Sequence, residues 1–247
     1  ERGYRGMIPF PTYSFVPKKK RVRPAFEMAD IRKLNSAMDD WIDQCTVSAY
    51  RETRILLRDY VKILALSGMR VGEANNLKIR DVHPFTDKFD RINYRFLVDG
   101  KTRKRDVIPV ASAAYHVEKV LERRKGADPN DYLFVMPNGS KIITLADQFD
   151  KVLDIAGLTY SSDGSKYSLY SLRHFYAVKA LLDEINVWDI SRNMGTSVEM
   201  IQQYYGKDAT PKKMATTLGG KLKDKHKLKN KEDEKEGNET KSRSPSS

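Results

Sequence analysis

Two arginines of this chain stand where a guanidinium needs a partner. Arg70, in Ser67-Gly-Met-Arg-Val-Gly-Glu73, directly follows an apolar helical stretch, and Glu73 three residues on can pair with it. Taken alone, such a pair is more often structural than catalytic. Arg173, in Tyr170-Ser-Leu-Arg-His174, falls in the first turn of an amphipathic helix that Ser171 can cap. The helix dipole favours anions there, so an arginine in that turn points to an anion held by guanidinium and backbone N–H groups together. Lys101 sits at a hairpin tip, in Gly100-Lys-Thr-Arg-Lys-Arg-Asp-Val-Ile-Pro109, and Tyr204-Tyr205 close the last helical pattern. Each has an ordinary reading: a solvated charge at a tip, and packing residues at a helix end.

Other chemistries find no support. Gly100-Lys-Thr is not a P-loop, because Arg95 stands where the first glycine is required and the residues after it read as strand. Four histidines never fall at metal-ligand spacing, and the single cysteine, Cys45, removes a disulfide framework or a Cys-based zinc ribbon. The longest run without Asp, Glu, Lys or Arg is Gly6 to Pro17, too short and too rich in proline to span a bilayer.

The elements that must position these residues are mostly helical. Ile31, Leu34, Met38, Trp41 and Ile42 recur at helical spacing, and so do Ile55, Leu56, Val61, Ile63, Leu64 and Leu66, with Gly68 as a natural stop. Arg91–Val98 and Lys104–Val110 read as strands joined by an Asp99-Gly100 turn. Further helices are predicted over 112–125, 144–156, 171–184, 187–194 and 197–204. The fold class is α+β: a mainly helical domain with a small antiparallel β-sheet.

The formal charge of +12 suggests an acidic partner, nucleic acid being the commonest. Its distribution weakens that inference, because residues 1–24 hold seven positives and one negative and residues 221–247 nine positives and six negatives. The remainder is close to balanced. Four prolines and the run Lys18, Lys19, Lys20, Arg21, Arg23 make residues 1–24 a basic linker, with the make-up also of a nuclear localisation signal. Residues 25–210 form the expected domain. Residues 211–247 are a charged tail of the composition that stays disordered.

Taken in order, these segments resemble the catalytic domain of the tyrosine recombinase (phage integrase) family. The first box is similar to Gly68-Met-Arg-Val-Gly-Glu73, the hairpin lysine to Lys101, and the second box, usually His-x-Leu-Arg-His, to Tyr170-Ser-Leu-Arg-His174. The third box, usually Leu-Gly-His-Ser, is similar to Met194-Gly-Thr-Ser197, and the family's nucleophile lies nine residues past its histidine position. That count lands on Tyr205, with Tyr204 the close competitor.

The resemblance implies catalytic roles for Arg70, Lys101, Tyr170, Arg173, Thr196 and Tyr205, support from Glu73 and His174, and DNA contacts by the basic linker and by Arg103 and Lys104. It implies double-stranded DNA as partner, a homotetramer on DNA, and a phosphotyrosyl mechanism needing no metal, ATP or other cofactor. It also implies an upstream domain that residues 1–24 would join, and a cytoplasmic, nucleoid-associated place for a bacterial or phage-encoded protein. Tyr170 and Thr196 fill the two histidine positions, and neither is a base near neutral pH. Two other readings therefore stand beside a recombinase: a DNA-binding regulator that lost cleavage, and a type IB topoisomerase-like enzyme that relaxes DNA.

Overall fold

The structure is a computed structural model that describes residues 24–100 and 104–203. Its first helix, α1 (Met28–Asp43), begins where the Asp30 carboxylate accepts a hydrogen bond from the Glu27 backbone N–H at 3.0 Å. It buries Leu34, Ala37, Met38 and Ile42 along one stripe. The second helix, α2 (Ser48–Ser67), is the central one. It buries residues on almost every face of its second half, from Leu56 to Ala65, because α1, α4 (Ala114–Arg123), α5 (Ala146–Ile155) and α6 (Leu169–Leu182) all pack on it. It stops at Gly68, whose φ of 67° is left-handed.

Between α2 and the sheet lies a six-residue helix, α3 (Val71–Asn76), which the apolar spacing does not announce. The Tyr60 hydroxyl of α2 donates to Asn75 Oδ1 at 2.6 Å and ties this short turn to the core. The sheet has three antiparallel strands in the order β1 (Val82–Thr86), β2 (Ile92–Asp99), β3 (Lys104–Val107), with Phe96 opposite both Val82 and Val107. Here the predicted hairpin gains a strand. Pro84 has no N–H to give a ladder, which hides β1 in the sequence and fits its place at the sheet edge. The third strand ends at Val107, short of the predicted Val110. Pro109 follows, and the chain turns into a 3-10 segment at Ala111–Ala113 before α4.

The remaining helices are α6, α7 (Val187–Met194), and a last one that starts at Val198 and is described as far as Gln203. The main core runs from Phe26, stacked on Tyr167 at 4.1 Å, through α2 to the inner face of the sheet. A smaller cluster of Tyr176, Ala177, Ala180, Ile190, Met194 and Ile201 fixes α7 and the last helix against α6. This second cluster sets the position of the turn at Gly195, on which the site is built. Among the described residues no helix is long and apolar enough to cross a membrane.

Candidate active site

Helix C-termini, not the N-terminus of its own helix, hold Arg173. The predicted start of α6 at Ser171 is corrected to Leu169, with Ser171 Oγ accepting from the Ser168 backbone N–H at 3.1 Å. Ser171 is thus the third residue of the helix and Arg173 lies in its second turn, away from the exposed N–H groups. Arg173 is 3% exposed. Its Nη1 donates to Gly68 O, and its Nη2 to Met194 O at 2.8 Å. Those carbonyls belong to the ends of α2 and α7, where backbone oxygens lack intrahelical donors and the dipole is negative. A buried cation is held there by the physics that disfavours it at an N-terminus.

Arg70 is reached from the same C-terminus. Gly68 turns the chain left-handed, and Arg70 then caps α3, its backbone N–H donating to Glu73 Oε2 at 2.8 Å. Its Nη1 donates to Glu73 Oε1 at 2.8 Å, forming the ion pair that the i,i+3 spacing predicts. Its Nη2 donates to Gly195 O at 2.7 Å. The Arg70 side chain is 37% exposed while that of Glu73 is 5%, so the arginine is the face of the pair that meets solvent.

A third guanidinium joins them that the sequence reading missed. Arg105 of β3 donates through Nη2 to Glu73 Oε2 and to Met194 O, both at 2.9 Å. Burial pushes its pKa down, Glu73 pulls it up, and the charges of Arg173 and Arg70 push it down again, to about 10. The signal was present but faint. With a two-residue strand period, Arg105 shares the inner face with buried Val107, whereas Lys104 and Asp106 point outward. In a run of basic residues that alternation is easily overlooked.

Two glycines allow the close approach. A Cβ on Gly195, which has φ 61°, would lie 2.2 Å from Arg105 Nε, and one on Gly68 would lie 2.4 Å from the Tyr176 ring. Asn193 closes the frame: its Oδ1 accepts from the Ile108 N–H at 2.7 Å, and its Nδ2 donates to Tyr176 Oη at 2.8 Å and to Ser67 O at 3.2 Å.

The other expected residues surround this cluster unevenly. Tyr170 is half-buried on α6, its ring edge-on to that of buried His174 at 4.9 Å. Thr196, also half-buried, follows Gly195 in the turn and donates its backbone N–H to Ser191 O at 3.1 Å. Lys104 is exposed beside the hairpin, 3.8 Å from Asp99. Lys101, Arg103, Tyr204 and Tyr205 lie outside the described residues, as do Lys18, Lys19, Lys20, Arg21 and Arg23. Among the described residues no group of three or more His, Cys, Asp or Glu is placed to hold a metal ion.

A mainly helical α+β domain with a three-stranded antiparallel sheet, bringing arginines of the first and second boxes onto one turn, has the architecture of a tyrosine recombinase catalytic domain. The sequence model described as "Phage integrase family" matches residues 25–210, and the chain belongs to that family. It is 32% identical over 143 residues to the tyrosine recombinase XerH of Helicobacter pylori (strain ATCC 700392 / 26695), covering 55% of this chain and 36% of that protein. It is 29% identical over 194 residues to the putative integrase/recombinase y4rB of Sinorhizobium fredii (strain NBRC 101917 / NGR234), covering 72% of this chain and 54% of that one. The matches thus span between about a third and a half of these relatives. Among solved structures, XerH bound to palindromic difH substrate in a post-cleavage complex superposes with a TM-score of 0.60 at 22% identity, over 80% of this chain and 53% of that one. At that identity the likeness is one of fold.

Proposed function

We propose that this chain is a site-specific DNA recombinase that cuts and rejoins duplex DNA through a covalent 3′-phosphotyrosyl link. The observation that carries this reading is the convergence of Arg70, Arg105 and Arg173 on the carbonyls of the Met194–Gly195 turn, with the Glu73 carboxylate pairing Arg70 and Arg105. Three guanidiniums gathered on one turn, two of them sharing a single carboxylate, suit an anion, and a phosphodiester is the anion this family handles. A guanidinium carries five N–H donors. Among the described residues Arg70 commits its Nη1 and Nη2 to Glu73 and Gly195, so its half-exposed fork retains donors for non-bridging phosphate oxygens.

In the proposed reaction the Tyr205 hydroxyl oxygen attacks phosphorus, the phenol gives its proton to solvent, and the bond to the 5′-oxygen breaks. Lys101 gives that oxygen a proton, leaving a free 5′-hydroxyl. The phosphodiester energy is retained in the phosphotyrosyl bond, so a 5′-hydroxyl can attack it and reseal the strand. Arg70 and Arg173 bear on the charge that grows on the non-bridging oxygens. Tyr170 and Thr196, at the family's histidine positions, offer hydroxyls that hydrogen-bond the phosphate or the nucleophile. Lys104, Arg103 and the basic residues 18–23 contact the backbone of double-stranded DNA, and two duplexes are exchanged within a homotetramer.

The test is a pool of nicked suicide duplexes randomised through the cleavage region, from which wild-type covalent adducts are recovered on a denaturing gel and sequenced. Wild type should form an adduct, and Tyr205→Phe none. An adduct that survives Tyr205→Phe and disappears with Tyr204→Phe would move the nucleophile by one residue. A second reading, a DNA-binding regulator without cleavage, is favoured by Tyr170 and Thr196 standing where histidines are usual. Sequence-selective binding with no wild-type adduct on any duplex would select it.

A further inference from the structure

Arg105 is costly as a purely structural residue. Its side chain is 11% exposed, and its Nε and Nη1 are buried with no hydrogen-bond partner among the described residues. It also sits within the repulsive field of two other guanidiniums, which together with burial lowers its pKa. Burying a charge with donors left over and like charges alongside destabilises a fold relative to an apolar side chain of similar size. Stability alone does not account for an arginine here.

Its contacts define what it does. One nitrogen, Nη2, bridges Glu73 Oε2 and Met194 O. Glu73 uses its other oxygen to hold Arg70, and Met194 O is also the acceptor for Arg173. Arg105 therefore meets each clamp arginine at one remove, through the carboxylate that orients Arg70 and through the carbonyl that anchors Arg173. The residue just after its strand is fixed to the last turn of α7, by the Ile108 N–H on Asn193. Gly195, with no Cβ, lets the guanidinium lie against the turn.

We propose that Arg105 is a positioning residue that locks Arg70 and Arg173 into one phosphate clamp and couples strand β3 to that clamp. The inference rests on the recombinase reading above and adds to it a third arginine outside the family boxes. A lysine replaces it only in part, because a flexible ammonium lacks the rigid guanidinium plane that holds Nη2 between its two acceptors. Loss of Arg105 leaves Arg70 and Arg173 in place but imprecisely aimed, and an error of about 1 Å in a catalytic group costs on the order of a hundredfold in rate.

The experiment uses the full chain and the duplex enriched from wild-type adducts. Arg105→Ala and Arg105→Lys are compared with wild type and with Asp106→Ala, an exposed neighbour on the same strand, in single-turnover adduct formation at saturating DNA. The expected result is a rate loss of about a hundredfold for Arg105→Ala, with partial recovery in Arg105→Lys. DNA affinity should stay within about threefold of wild type, and Asp106→Ala should cleave normally. The deficit should shrink on a substrate whose scissile phosphate carries a neutral methyl in place of one non-bridging oxygen, since that substrate needs less countercharge. It should persist on a 5′-bridging phosphorothiolate, whose thiolate leaves without a proton. Relief on the phosphorothiolate would place Arg105 with the leaving-group lysine and overturn the proposal. So would an unchanged rate, or a loss of rate equal on all substrates and matched by lower thermal stability. Should Arg105→Ala not fold, Arg105→Lys carries the same comparison. If wild type itself forms no adduct, the recombinase reading fails, which is a different result from wild type cleaving and Arg105 proving dispensable.

Discussion

Arg70 and Arg173 are both arginines of the family boxes, yet their surroundings predict different phenotypes. Removing Arg70 leaves Glu73 still paired with Arg105, and the Arg70 side chain is over a third exposed. Arg70→Ala should therefore lose cleavage while denaturant unfolding moves by about 1 kcal/mol or less. Arg173 is buried on two helix-terminal carbonyls, and Arg173→Ala strands Gly68 O and should cost roughly 3 kcal/mol as well as activity. The two glycines separate in the same way. Gly68→Ala drives a methyl into the buried Tyr176 ring and forces a left-handed φ, a stability loss of about 2–4 kcal/mol in a chemical melt. Gly195→Ala meets the Arg105 guanidinium instead, which can move. Its left-handed φ costs about 1–2 kcal/mol, and the larger effect should appear in the adduct assay, as displacement of Arg105 predicts.

At the scale of elements, the frame beneath the site depends on one buried carboxylate. Asp59 of α2 is fully buried and meets His116 at 3.4 Å and Arg123 of α4, with Arg58 alongside. Burial pushes its pKa up, but hydrogen bonds from His116 and Arg123 and the charges of Arg123 and Arg58 together hold it below the ordinary carboxylate value. An acid with a lower pKa in the folded state adds stability at every pH above its unfolded pKa, and that stability is lost as pH falls through the folded value. Asp59→Asn should thus lower stability by about 2 kcal/mol at neutral pH. The gap to wild type should close below roughly pH 4. Melting temperature measured against pH for the two proteins checks this.

The whole molecule carries +12, concentrated toward its ends, with a positive cluster built into its core. Phosphate contacts by such a surface release counterions, so DNA affinity should fall steeply and linearly in log Kd against log salt. Substituting Lys18, Lys19 and Lys20 by glutamine should reduce that slope by about one for each phosphate no longer neutralised, without altering the rate of adduct formation at saturating DNA. An unchanged slope would mean that these lysines do not touch DNA. The α+β class and the helices around α2 were legible because apolar periodicity reports which face of an element is buried. Strand β1 was not, since Pro84 masks its pattern, and neither was α3, whose six residues are too few for a period to show.

By itself the sequence determined the boxes, their order and the local pairing of Arg70 with Glu73, because motif spacing and an i,i+3 contact are properties of the chain near one point. Only the tertiary structure decided what Arg173 and Arg105 do. Their partners, Gly68 O, Met194 O and Glu73, come from elements up to 105 residues away in sequence, and no local pattern encodes that α2 and α7 end side by side. The helix-start reading of Arg173 gave way for the same reason. A dipole argument made within one helix cannot include the opposite poles of two others packed against it.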